Sequence, residues 1–168
     1  MTARTKRSIR SGVAAGLVSG VVSGVFLQVV HMTTIEGLRT PAMALVAGAV
    51  HTARAPMAWV GYLVYAAFIG AVFGWLLAGQ RVAAGSGIVW GVLYGACWWI
   101  ISSLAVIPAL YGVAPLTPAA IDVVRNASLP WFAAMLLAGG VLGAAYVGFM
   151  HRRPPGTREA AQSTPRAA

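Results

Sequence analysis

The sequence predicts an all-α polytopic membrane protein: a four-helix transmembrane bundle made of two duplicated helical hairpins, each with a short outer-face helix. Three observations carry that prediction. The first is composition: of 168 residues, 59% are hydrophobic and 9% charged, with a mean hydropathy of +0.78. A water-soluble domain carries about 25% charged residues, so this surface is not made to face water. The second is glycine at every fourth position, in Gly12, Gly16, Gly20 and Gly24 and again in Gly87, Gly91 and Gly95. Residues four apart share a helix face, so each series is a ridge without side chains, against which another helix reaches backbone contact in lipid. The third is internal repetition. A shift of 75 carries Gly12, Gly16 and Gly20 onto Gly87, Gly91 and Gly95, and a shift of 77 carries Thr40-Pro41-Ala42 onto Thr117-Pro118-Ala119.

The elements follow in order. Residues 1–10 form a basic cytoplasmic N-terminus with Arg4, Lys6, Arg7 and Arg10 and no acid. The first hairpin covers 11–80, with spans at about 12–32 and 58–78. Its apolar run from Val13 to Val30 reaches about 27 Å as a helix, long enough to cross and long for a signal-peptide core. In the outer segment that follows, Pro41 opens a short interfacial helix from Ala42 to about Arg54, which Pro56 closes. Trp59, Tyr62 and Tyr65 enter the second span at headgroup level, and Gly70 and Gly74 offer a further close-contact pair. A link at 78–86 turns the chain back. The second hairpin covers 86–150, with spans at about 87–107 and 129–150; the third span ends at Pro108 and the fourth carries Gly139 and Gly143. The outer loop between them holds a second short helix. The polar tail, 151–168, is expected to be disordered and cytoplasmic.

Orientation follows from the cations. Nine of the twelve Lys and Arg lie in the N-terminus, the 78–86 link and the tail, while Arg39, Arg54 and Arg125 lie in the other two loops. The positive-inside rule then places both termini in the cytoplasm of a bacterial-type inner membrane. Each repeat unit has two spans, so the copies share one orientation about an axis along the membrane normal. The net charge of +9 is explained by orientation, because no basic face on a polar domain would serve nucleic acid.

Chemistry has few places to reside. The spans contain no ionisable residue away from their ends, which argues against a proton-coupled exporter. Cys97 is a lone cysteine, so no disulfide or thiolate cluster forms within the chain. The candidate polar site is Gln28, four beyond Gly24, with His31 and Glu36 above it and Ser103 as the repeat partner of Gln28. These side chains form either an interhelical hydrogen bond or a small central site. His31, Met32, Glu36, Met43, His51 and Met57 gather near the outer side, yet no pair has tight ligand spacing, so no metal or cofactor is expected. Asp122 and Arg125, three apart, are placed to pair on the second short helix, and Asn126-Ala127-Ser128 matches a glycosylation sequon by its three-residue pattern alone. No triad, phosphate loop or dinucleotide fingerprint occurs, so no catalytic residue and no enzyme are expected.

The run Ala58-Trp59-Val60-Gly61-Tyr62-Leu63-Val64-Tyr65, then Ile69-Gly70 and Phe73-Gly74, and then Gly87, Gly91, Tyr94-Gly95 and Trp98 resembles the small YagU-like inner-membrane proteins and related families. The resemblance covers roughly residues 12 to 150 and implies duplicated two-helix hairpins. Where that pattern favours histidine this chain has Tyr62 and Ala134, so a histidine-based site does not carry over. The expected function is that of a structural or accessory membrane protein, packing with itself or a membrane partner through its glycine ridges, the lipid bilayer being its surroundings. That reading expects continuous packing between the first and third spans. A small transporter with a path near Gln28 and Ser103 is the alternative, and an outer-face metal or haem site through His31 and His51 the third.

Overall fold

The computed structural model describes residues 2–33, 39–80, 83–117 and 128–151. Glu36, Arg81, the second outer-face helix with Asp122, Arg125 and Asn126, and the tail from residue 152 lie outside these residues. The protein is mostly helical, with four helices long and apolar enough to cross a membrane.

Helix α1 spans Ala3–Val29. It starts within the basic segment because Thr2 Oγ1 accepts from the Thr5 backbone N–H at 3.3 Å, capping the first turn. Strands β1 (His31–Thr33) and β2 (Arg39–Pro41) form a small antiparallel ribbon that the sequence reading did not anticipate. Helix α2 is shorter than expected, Met43–Ala49, and ends on its own chemistry before reaching Pro56. The Thr52 N–H bonds the Ala47 carbonyl and the His51 N–H that of Gly48, a Schellman turn that puts His51 at φ +51°. Pro56 instead opens helix α3, Ala55–Leu76, where its missing N–H costs nothing.

Helix α4, Ala84–Ile101, runs through a π-helical turn at Ser102–Val106 into α5, Ile107–Leu110. The third long helix therefore passes Pro108 instead of stopping there. Proline has no N–H for the Leu104 carbonyl four residues back; the Leu116 N–H fills that place at 3.0 Å. Helix α6, Ser128–His151, completes the bundle.

The glycines set the packing. A Cβ on Gly12 would overlap the Gly70 carbonyl, and one on Gly16 the Ala66 carbonyl. In the second hairpin, a Cβ on Gly91 would overlap Gly139 and one on Gly95 would overlap Met135, again at the carbonyl, while Gly143 lies against Gly87. The ridges thus meet within each hairpin, α1 on α3 and α4 on α6, and α1 also packs on α6. This corrects the expected contact between the first and third spans, which lie diagonally across the bundle. Gly20 and Gly24 differ again: they receive side chains, Ala66 and Leu63 at Gly20, Trp59 and Tyr62 at Gly24. Both still face α3 and are buried, but the opposing positions there are Ala66 and Tyr62, which carry side chains where Gly70 and Gly74 have none.

The two hairpins make matching contacts in a register that differs from the sequence shift of 75. Gly12 against Gly70 and Gly74 matches Gly91 against Gly139 and Gly143, a shift of 79 on one helix and 69 on the other. A motif that repeats every four residues looks alike when slid by four, so the glycines alone do not fix the register.

Two outcomes follow. Gly70→Ala drives a methyl into the backbone of α1 and lowers stability by about 1–3 kcal/mol or more, whereas Gly148→Ala, with open space around it, is neutral or stabilising; thermal unfolding in detergent separates them. His51→Gly relieves a left-handed non-glycine residue and stabilises the protein by up to about 1 kcal/mol in the same assay. Gly112, at φ +73°, already occupies the matching turn position after α5.

Candidate functional site

A serine inside an apolar bundle brings a hydroxyl that must find partners, and it finds them nearby. Ser23 Oγ donates to the Ser19 carbonyl at 2.7 Å, one turn back, and accepts the Tyr62 phenol at 2.8 Å. Ser102 Oγ donates to the Trp98 carbonyl at 2.5 Å and accepts Trp131 Nε1–H at 3.1 Å. These pairs are related by the same shifts of 79 and 69 that relate the glycine contacts. At the end of the bundle carrying the start of α1, Ser8 Oγ donates to the Gly74 carbonyl and accepts the Tyr146 phenol, both at 2.6 Å, tying three helices together.

Two further hydrogen bonds between the hairpins share one acceptor position. Ser19 Oγ donates to the Ala138 carbonyl at 2.7 Å, and Tyr94 Oη to the Ile69 carbonyl at 2.8 Å; Ile69 and Ala138 are equivalent under the shift of 69. The donors differ in length, and so do the seams. Ser19 lets α1 lie close on α6, while the phenol of Tyr94 spans a wider gap between α3 and α4. Aromatic contacts fill that gap: Tyr65 and Phe68 edge-on to Trp98, and Phe73 tilted against Tyr94.

Two interior spaces adjoin this cluster. A central one of about 20 Å³, the size of about one water molecule, touches Ser19, Tyr65, Tyr94, Trp98 and Ala138. An apolar chamber of about 90 Å³ lies beneath α2, between Leu45, Val46, Tyr62, Ile107 and Trp131. Tyr65 borders both. Its hydroxyl, Ser103 Oγ, Trp99 Nε1 and Thr40 Oγ1 are buried without a hydrogen-bond partner.

The residues singled out from sequence are not brought together. Ser103 is buried in the π-helical turn, but Gln28 and His31 are exposed, and Glu36 lies outside the described residues. The buried face of α1 holds Ser19, Gly20, Ser23 and Gly24 and then Leu27, so Leu27 takes the place expected for Gln28. His31 Nδ1 bonds the Val29 carbonyl at 2.9 Å, and His51 is exposed after α2. Among the described residues the buried polar groups are serine hydroxyls, the Thr40 hydroxyl and the polar atoms of tyrosines and tryptophans, and no three His, Cys, Asp or Glu gather as metal ligands. Cys97 is exposed. Such an interior offers hydrogen bonding and apolar space, with no strong acid, base or paired nucleophile in it.

Ser23, Ser102, Tyr62 and Trp131 were missed as a set in the sequence. Their signal was a serine and an aromatic recurring at matched places, visible only once the register is 79. Ser23→Ala strands the buried Tyr62 hydroxyl and costs about 1–3 kcal/mol, more than Tyr62→Phe at about 1 kcal/mol. Thermal unfolding of the two single variants and the double variant should give a combined loss smaller than the sum.

No family model, curated protein or solved structure matches this chain.

Proposed function

We propose that this is a small integral protein of a bacterial-type inner membrane, structural or accessory in role, with both termini in the cytoplasm. The observation that carries the reading is the outward surface of the long helices. Val64, Phe68, Trp75 and Leu93 each leave more than half of their surface exposed, where a water-soluble bundle carries charge. Beneath that surface lie backbone contacts and short serine hydrogen bonds, both suited to a solvent as apolar as the side chains. The matching contacts of the two hairpins support a duplicated unit, arranged about an axis along the membrane normal. The resemblance to YagU-like proteins points the same way.

The glycine faces are engaged within the chain, so a second copy or a membrane partner meets the bundle on side-chain faces. The splayed α3–α4 seam offers one, with Leu76, Trp90 and Leu93 exposed beside it. A transport path past Gln28 and Ser103 lacks support, because Gln28 is exposed on α1 while Ser103 is buried. A metal or haem held by His31 and His51 would draw its ligands from two exposed segments.

Single-cysteine labelling tests the orientation. On a Cys97→Ala background, Thr52→Cys in intact cells should react with a membrane-impermeant maleimide, and Gln80→Cys only after lysis. The reverse pattern, or labelling of both in intact cells, contradicts the reading.

A further inference from the structure

We propose that the basic end of the bundle binds an anionic phospholipid, with Lys6 and Arg10 holding its phosphate and an acyl chain lying along Ala14 and Phe149. The inference rests on the membrane reading above. Ala3, Lys6, Arg10 and Ala14 are spaced by three and four residues, so they share one face of α1. With Arg7, Ser11 and Phe149 they line an open groove of about 500 Å³ between α1 and the end of α6. Arg7 Nη2 donates to the Met150 carbonyl at 3.4 Å in the last turn of α6, where a cation also meets the negative end of the helix dipole. That contact fixes the far wall of the groove.

The lining is of two kinds. Lys6 and Arg10 are exposed cations, while Phe149, on the last turn of α6 next to Met150, and Ala14, one turn beyond Arg10, supply apolar wall. The first carboxylate in the chain is Glu36, so the basic segment holds four cations with no acid close to it in sequence. A phosphate joined to a hydrocarbon chain matches both halves: the cations take the charge and the apolar wall takes the chain. Inorganic phosphate would use only the first half, and nucleic acid would meet hydrocarbon where it needs water.

The test uses the full-length protein purified in a neutral detergent, titrated with phosphatidylglycerol, phosphatidylcholine or inorganic phosphate, and read by native mass spectrometry and melting temperature. Phosphatidylglycerol should bind at least about tenfold more tightly than phosphatidylcholine and raise the melting temperature, an effect weakened by salt. The Lys6→Gln/Arg10→Gln variant should bind phosphatidylglycerol about thirtyfold more weakly, while Arg39→Gln/Arg54→Gln, at the other end of the bundle, should bind it as the parent does. Phe149→Ala should weaken the lipid without creating a response to phosphate. Unchanged lipid binding in Lys6→Gln/Arg10→Gln, equal binding of phosphatidylcholine, or equal stabilisation by inorganic phosphate would overturn the proposal. Failure of the membrane reading shows separately, as release of the protein from native membranes by carbonate before any lipid is added.

Discussion

Backbone-to-backbone contact between α1 and α3, and again between α4 and α6, is the constraint on which the rest of the structure depends. In lipid, as proposed, two helices gain little by hiding apolar surface from a solvent that is itself apolar. What remains is dispersion, weak for each atom pair and lost over fractions of an ångström. A glycine face brings many atoms into range at once. A single methyl at Gly12, Gly70, Gly91 or Gly139 would meet a facing carbonyl, so the spacing of each hairpin is fixed by the lack of side chains.

Because each hairpin uses its glycines on itself, the two halves must be joined by other means. Two of the hydrogen bonds that join them end on equivalent carbonyls and come from unequal donors. Ser19 reaches Ala138 over a short distance and α1 settles on α6; Tyr94 reaches Ile69 across its whole ring and α4 stands off from α3. One change of side-chain length thus separates a tight seam from a loose one. The aromatic cluster of Tyr65, Phe68 and Trp98 belongs to the loose seam, and the two interior spaces meet at Tyr65. The serine–aromatic pairs hold the same place in both halves, Ser23 with Tyr62 and Ser102 with Trp131, and lock α1 to α3 and the end of α4 to α6.

Much of the fold was legible in the sequence because hydropathy and glycine spacing are local signals. The four long helices and the close-contact role of Gly12, Gly16, Gly70 and Gly74 fall in this class. Which ridge meets which was not legible, since a helix pattern names a face and leaves its partner open. Gln28 shows the limit of face assignment: extrapolating a spacing of four by one more step placed it inside, while the buried face reaches Leu27, three beyond Gly24 and four beyond Ser23. Pro108 shows another. A proline reads as a helix end, and only a distant donor, the Leu116 N–H, allows the helix to pass it. Pro56 misled for a simpler reason, since the same residue that closes one helix can open the next. The interior serines were invisible as a group because their partners are aromatic residues of other helices, 29 and 39 positions away in sequence.

The most direct test of the central contact is solid-state NMR of the full-length protein in lipid bilayers, with carbon-13 confined to glycine. The account predicts short-range Cα cross-peaks between Gly16 and Gly70 and between Gly95 and Gly139. Cross-peaks joining Gly16 to Gly91 or Gly95, or none between glycines of paired helices, would contradict it.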